Sequence, residues 1–76
     1  MTDEARLDEA RERRAYVRMQ LKVTGRLRER RRQAGVSLTD LDHRIAELER
    51  SMSELDVVVE GLRAKLGRAH RQLDHG

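Results

Sequence analysis

The second half of the chain carries apolar residues at alternating spacings of three and four, from Leu38 to Leu73. This heptad seam consists of Leu38, Leu41, Ile45, Leu48, Met52, Leu55, Val59, Leu62, Leu66, Ala69 and Leu73. The pattern is typical of a coiled-coil helix. Because one helix alone cannot bury such a narrow seam, we predict that it packs on a partner helix, either from the same chain or from another.

The first half has a less regular pattern. No single heptad frame is apolar throughout, because even the frame through Leu7, Ala10, Val17 and Leu21 also includes polar and charged residues. Its members are Leu7, Ala10, Arg14, Val17, Leu21, Thr24 and Arg28. A further set of apolar residues falls between these positions: Tyr16, Met19, Val23 and Leu27. We predict that this further set forms a partner-binding face on helix one.

The two halves meet at a predicted turn. Gly35 can adopt the left-handed conformation that ends a helix, and Ser37 with Asp40 three residues later has the pattern of a capping box. We predict an all-α fold with one domain over residues 1–76, helix one at about 3–33, a turn at 34–37 and helix two at about 38–73. The short turn makes this an antiparallel two-helix coiled-coil hairpin. Two hairpins packed face to face would form a four-helix bundle with helix two central.

Charge along the chain favours the hairpin. Residues 13–32 hold nine basic side chains and one acidic one, whereas residues 37–60 hold seven acidic and two basic ones. A fold-back at Gly35 places the basic stretch along the acidic stretch. It also places the acidic start of the chain beside the basic end, so the hairpin is electrostatically matched along its length.

Residues 16–24 allow an alternative interpretation. Here Val17, Met19, Leu21 and Val23 alternate with polar residues, which is typical of a half-buried strand that ends at Gly25. With this strand, the chain resembles the ribbon-helix-helix DNA binders, which pair strands across a dimer and read the major groove with polar strand residues. The protein would then be a small dimeric DNA-binding transcriptional regulator that uses the basic 13–32 stretch.

The basic stretch supplies candidate contacts to an anionic ligand or to nucleic acid, since clustered arginines neutralise phosphates. These candidates are Arg14, Arg18, Lys22, Arg26, Arg28, Arg30 and Arg31. However, the net charge is only +3, and Tyr16 is the one aromatic residue that could stack on bases. We therefore favour a protein partner over nucleic acid.

Composition narrows the function further. The chain of 76 residues has no cysteine, and 41% of its residues are charged. Without cysteine there are no disulfides or thiolate metal sites, and the three histidines lack the spacing of a metal motif. No spacing of nucleophile and base and no glycine-rich phosphate loop is present, so we predict no enzyme activity. The lack of a long apolar run and of a signal-peptide pattern predicts a cytoplasmic protein without a membrane span.

Three segments resemble the helical hairpin of actinobacterial anti-sigma factors that hold a sporulation-type sigma factor under cyclic di-GMP control. They are Ala15-Tyr16-Val17-Arg18, Ser37-Leu38-Thr39-Asp40-Leu41 and Leu62-Arg63-Ala64-Lys65-Leu66. The resemblance implies a hairpin that wraps a transcription factor. The family's nucleotide motif of Glu, Ser, Arg, Gln and Asp agrees only at Arg18 on helix one, and at Glu49 and Ser53 on helix two. Cyclic di-GMP is implied by these positions alone.

We therefore predict a bacterial, non-enzymatic, regulatory protein-protein interaction module that resembles the anti-sigma factors. Its expected partners are a transcription factor such as a sigma factor, and further copies of the chain in a homo-oligomer. Two alternatives stay open: the DNA-binding regulator described above, and a structural oligomerisation component.

Overall fold

The chain forms two long helices in the computed structural model. This structure describes the backbone of residues 2–75 and the side chains of residues 2–68. Helix α1 spans Asp3–Gln33 and helix α2 spans Thr39–His75, and the two pack against each other as a hairpin. The hairpin measures 64 Å by 19 Å by 14 Å. The predicted all-α helical hairpin is confirmed. Neither helix, over its described residues, has an apolar stretch long enough to cross a membrane.

Helix α1 begins and ends with side chains that suit its dipole. The side chain of Thr2 accepts a hydrogen bond from the backbone N–H of Ala5 at 3.1 Å, which satisfies one of the free donors at the helix start. Asp3 and Glu4 lie in the first turn, and three arginines lie in the last turn. Acidic residues at the start and basic residues at the end each interact favourably with the helix dipole.

The turn has the hydrogen bonds of a Schellman motif. Gly35 has a φ of 71°, its N–H donates to the carbonyl of Arg32 at 3.2 Å, and the N–H of Val36 donates to the carbonyl of Arg31 at 3.0 Å. A residue with a Cβ would be strained at this φ, so glycine is needed here. The hydroxyl of Ser37 donates to the hydroxyl of Thr39 at 3.4 Å.

The strand alternative for residues 16–24 is wrong. These residues lie inside α1, which is continuous from Asp3 to Gln33, and no strand occurs among residues 2–75. The alternation that suggested a strand has another origin. Val17 is buried because it faces α2, whereas Met19 and Val23 belong to the solvent-exposed side of the same helix.

The heptad seam of α2 packs on α1. Leu41, Leu48 and Val59 are buried, and Val59 has no exposed surface. The other members from Leu38 to Leu66 are half-buried. The side chains of Ala69 and Leu73 lie outside the described residues. The partner helix that the seam requires is therefore present in the same chain.

Helix α1 packs on this seam through the heptad frame that runs from Leu7 to Arg28 and includes charged residues. Ala10, Val17 and Thr24 are buried, and Arg14 and Arg28 are half-buried at the same interface. Arginine fits there because its aliphatic stem covers apolar surface while the guanidinium reaches a charged partner. The frame that packs on α2 is therefore regular in spacing but mixed in composition, as the sequence indicates.

Candidate interaction surfaces

Among the side chains of residues 2–68, three ion pairs connect the two helices. Arg14 Nη1 lies 3.3 Å from Asp56 Oδ1, and Arg28 Nε lies 2.7 Å from Asp42 Oδ1. One pair lies two heptads from the other on each helix, so the two pairs belong to one regular antiparallel alignment. Lys65 Nζ also lies 3.0 Å from Asp3 Oδ2, near the free ends of the helices. These contacts form the match between basic and acidic stretches that the charge pattern predicts.

A shorter-range ion pair lies at the end of α1 near the turn. Arg32 donates two hydrogen bonds to the carboxylate of Glu29, at 2.7 and 3.2 Å. The hydrogen bond from Arg32 and its positive charge hold the pKa of Glu29 below its ordinary value, with a smaller contribution from Arg28. The same interaction raises the pKa of Arg32. Both side chains are exposed, so this is a surface ion pair and not a buried site.

On the flank of the hairpin away from Asp42 and Asp56, the two helices leave an open groove. One part is a cavity of about 330 Å³, and an adjoining part is a cavity of about 550 Å³. Glu9 and Arg13 line both parts, so the two are continuous. The complete lining is Arg6, Glu9, Ala10, Glu12, Arg13, Tyr16, Val17, Arg44, Leu48, Ser51, Val58 and Leu62. The groove therefore has an apolar floor from the inter-helix seam, with arginines on both helices along its edges.

Four large apolar side chains lie uncovered on α1. Tyr16 is 57% exposed, Met19 51%, Val23 53% and Leu27 38%. We call this set the α1 face. Its members were predicted from the sequence as a partner-binding face, and the structure places all of them on the solvent side of the helix that meets α2 through Ala10, Val17 and Thr24. Their use in binding stays a prediction.

The seven predicted anion contacts do not converge on one site. Arg14 and Arg28 already pair with Asp56 and Asp42, and Arg31 is half-buried. The remaining four are exposed: Arg18, Lys22, Arg26 and Arg30. None of the seven lines either part of the groove. A pocket for a nucleotide built from these residues is therefore not formed within residues 2–68.

The side chains described here offer no metal centre. No group of three or more histidine, cysteine, aspartate or glutamate side chains among them is placed to hold a metal ion. The acidic residues of α2 instead lie along its length, where Asp42 and Asp56 pair with arginines of α1.

Comparisons with known proteins add no relatives. No protein-family model, no curated protein and no solved structure matches the chain. The resemblance to the anti-sigma factors therefore stays a prediction, and any function has to be argued from the surfaces themselves.

Sequence reasoning missed the groove. Its edges come from residues beside the seam on each helix, such as Arg13, which is four residues before Val17, and Arg44, which is four residues before Leu48. The heptad pattern contains this information, because positions that flank a seam always border its edge. The groove residues of α1 could be identified from this pattern only once the inward frame of α1 was known.

Proposed function

We propose that this chain is a non-enzymatic protein-protein interaction module whose α1 face binds a helix of its partner. One observation carries the proposal: four large apolar side chains stay 38–57% exposed on a single face of α1, whereas the α2 seam is buried or half-buried from Leu38 to Leu66. Exposure of such a patch to water is unfavourable, and its burial against another apolar surface lowers the free energy. An interaction partner is the general way in which soluble proteins cover such a face.

The spacing of the face suits a helical partner. Tyr16, Met19, Val23 and Leu27 follow one another at intervals of three and four residues. These intervals are those of anchor residues in complexes where one amphipathic helix lies against another apolar surface. Tyr16 adds a rigid aromatic anchor with a polar tip, which is the kind of residue that is common at binding hot spots.

We assign the module a regulatory role, with a transcription factor such as a sigma factor as its partner. Support comes from the resemblance to helical-hairpin anti-sigma factors and from the basic side chains around the α1 face, which would complement an acidic helix. The module acts by occupying a surface of its partner, so no step of chemical catalysis is involved. Self-association and a cytoplasmic location belong to the same proposal.

A genetic experiment tests the regulatory role. The gene would be replaced in its source organism by the double variant Tyr16→Ser/Val23→Ser, and transcript abundances would be measured beside those of a deletion strain. The control is Val36→Ser/Val57→Ser, which also replaces two exposed apolar side chains by serine. Val36 is 52% exposed and Val57 73% exposed, and both lie outside the α1 face. We expect the face variant to reproduce the transcript changes of the deletion and the control to match the wild type.

Two results would overturn this proposal. A face variant with wild-type transcripts would show that the α1 face has no part in the function. A deletion strain with unchanged transcripts would remove the regulatory role and favour the structural oligomerisation component instead.

DNA binding is the second candidate, because Arg18, Lys22, Arg26 and Arg30 are exposed and form no ion pair with another described side chain. If these four residues contact phosphates of duplex DNA, the logarithm of the binding constant should fall with the logarithm of salt concentration with a slope of roughly −3 to −4. The triple variant Arg18→Gln/Lys22→Gln/Arg26→Gln should reduce that slope while leaving the pairs of Arg14 and Arg28 intact. Absence of binding at low salt would exclude this candidate.

A further inference from the structure

A second heptad seam runs along the solvent side of α1. Its members alternate at spacings of three and four, and all seven are exposed: Glu9, Glu12, Tyr16, Met19, Val23, Arg26 and Arg30. We call this set the outer stripe. It shares three members with the α1 face, and it is distinct from the inner frame through Ala10, Val17 and Thr24 that packs on α2.

The order of side chains along the outer stripe is self-complementary. Two acidic residues come first, then three apolar ones, then two basic ones. If a second copy of α1 lies antiparallel on the stripe, the acidic end of each helix meets the basic end of the other. Glu9 is then opposite Arg30 of the second copy, Glu12 is opposite Arg26, and Tyr16 is opposite Val23. Met19 lies beside the two-fold axis, next to Met19 of the second copy.

We infer that the helix covering the α1 face is α1 of a second copy of this chain, paired antiparallel through the outer stripe. The inference rests on the proposed function, because it names the helix that the α1 face binds; a transcription factor would then contact another surface of the dimer. None of Glu9, Glu12, Arg26 and Arg30 forms an ion pair with another side chain of residues 2–68, so all four are available to the second copy.

The proposed pairing is isologous, since the same stripe is used on both copies. Only the antiparallel orientation satisfies the charges, because parallel helices would oppose Glu9 to Glu9 and Arg30 to Arg30. The resulting four-helix assembly has the two α1 helices in the centre and the α2 helices outside. This arrangement differs from the bundle with helix two central that the α2 seam by itself would allow, since that seam already packs on α1 from Leu38 to Leu66.

Charge reversal at one end of the stripe tests the inference. Variant A carries Glu9→Arg and Glu12→Arg, so both ends of its stripe are basic. Variant B carries Arg26→Glu and Arg30→Glu, so both ends are acidic. Each variant alone should dissociate at least about tenfold more readily than the wild type, because like charges meet across the interface. An equimolar mixture should restore dimers, each with one copy of A and one of B.

Light scattering coupled to size-exclusion chromatography over a concentration series gives the masses, and native mass spectrometry separates mixed from homogeneous dimers. The control for variant A is Asp8→Arg/Glu54→Arg, which makes the same change in net charge at exposed positions outside the stripe. This control should associate like the wild type. Circular dichroism of every variant shows whether the hairpin itself remains folded.

Cysteine cross-linking tests the orientation, because the chain has no cysteine of its own. Met19→Cys lies at the two-fold axis and should give a disulfide-linked dimer on mild oxidation. Glu9→Cys should not cross-link to itself, because the two copies of residue 9 would be about 30 Å apart along the antiparallel helices. The double variant Glu9→Cys/Arg30→Cys should cross-link again. Efficient cross-linking of Glu9→Cys alone would indicate parallel helices and overturn the inference.

The outcomes separate this inference from the proposed function. A wild-type protein that stays monomeric throughout the concentration series overturns the second copy as occupant, while the transcript experiment can still succeed through a different partner. A dimer that behaves as described, in an organism whose transcripts do not change when the gene is deleted, supports the inference and overturns the regulatory role. A mixture of A and B that remains monomeric overturns the charge pairing.

Discussion

Val59 offers the sharpest test of the hairpin interface, because a matched residue lies two positions away on the same helix. Val59 has no exposed surface, whereas Val57 is 73% exposed. Replacing either valine by alanine removes the same two carbon atoms. Both replacements also bring the same gain in helix propensity, about 0.5 kcal/mol. The difference between the two variants therefore isolates the burial of residue 59 against α1.

The expected size of this difference follows from the burial. Removing two buried carbon groups lowers the free energy of unfolding by about 1.6 kcal/mol, and the cavity left behind increases the loss. After the gain in propensity, Val59→Ala should lose about 1.5 to 2 kcal/mol, whereas Val57→Ala should be neutral or slightly more stable. A chain of 76 residues has a total stability of roughly 4–11 kcal/mol, so the loss is a large fraction of it.

Urea denaturation followed by far-ultraviolet circular dichroism measures both variants and the wild type at one protein concentration. The fixed concentration matters, because self-association would add a concentration-dependent term to the stability. Thermal melts should show a midpoint for Val59→Ala that is roughly 10 °C below that of Val57→Ala. Equal midpoints for the two variants would refute the reasoning, because residue 59 would then be no more buried than residue 57.

Three further outcomes are expected. Gly35→Ala should destabilise the hairpin by about 1 kcal/mol, since the φ of 71° at this position strains any residue with a Cβ. Gly25→Ala should instead stabilise the hairpin by up to about 1 kcal/mol, since a Cβ there meets nothing within 4 Å. Equal effects of the two variants on urea denaturation would contradict the Schellman turn. In an NMR titration of the side-chain carboxyl carbons, Glu29 should have a pKa below the ordinary glutamate value, and Arg32→Gln should return it toward that value. Because folding lowers the pKa of Glu29, this residue should stabilise the fold at pH values above its unfolded-state pKa, and the stabilisation should disappear as pH falls through its folded-state pKa. An unchanged Glu29 titration in Arg32→Gln would contradict the ion pair between Glu29 and Arg32.

Much of the fold could be predicted from the sequence because its signals are local. The seam of α2 repeats over ten spacings without interruption. Gly35 indicates the turn because α1 ends at a residue in the left-handed conformation, which glycine adopts most readily. The apolar set that includes Tyr16 and Val23 could be recognised for the same reason, since its spacing is helical, but its exposure follows only from the structure.

The inward frame of α1 could not be predicted from α1 alone. Judged as isolated side chains, Arg14 and Arg28 count against a buried frame, because charged groups are rarely buried without a partner. Their partners, Asp56 and Asp42, lie 42 and 14 residues away in the sequence. An arginine can lie at a helix interface when a carboxylate from the opposite helix pairs with its guanidinium. Whether the carboxylate lies close enough depends on the register of the two helices as well as on their composition.

Two helices, their turn, the apolar seam of α2 and the apolar set on α1 can be read from the amino acids alone, because helical periodicity and backbone conformation are set within a few residues of each position. The packing of the two helices shows which face of α1 is buried, which arginines pair with carboxylates of α2, and which flank opens into a groove. The physical reason is that these features depend on the antiparallel register, which many weak contacts between distant residues fix together. The outer stripe was present in the sequence throughout, but it became recognisable as a free surface only after the inner frame had been assigned.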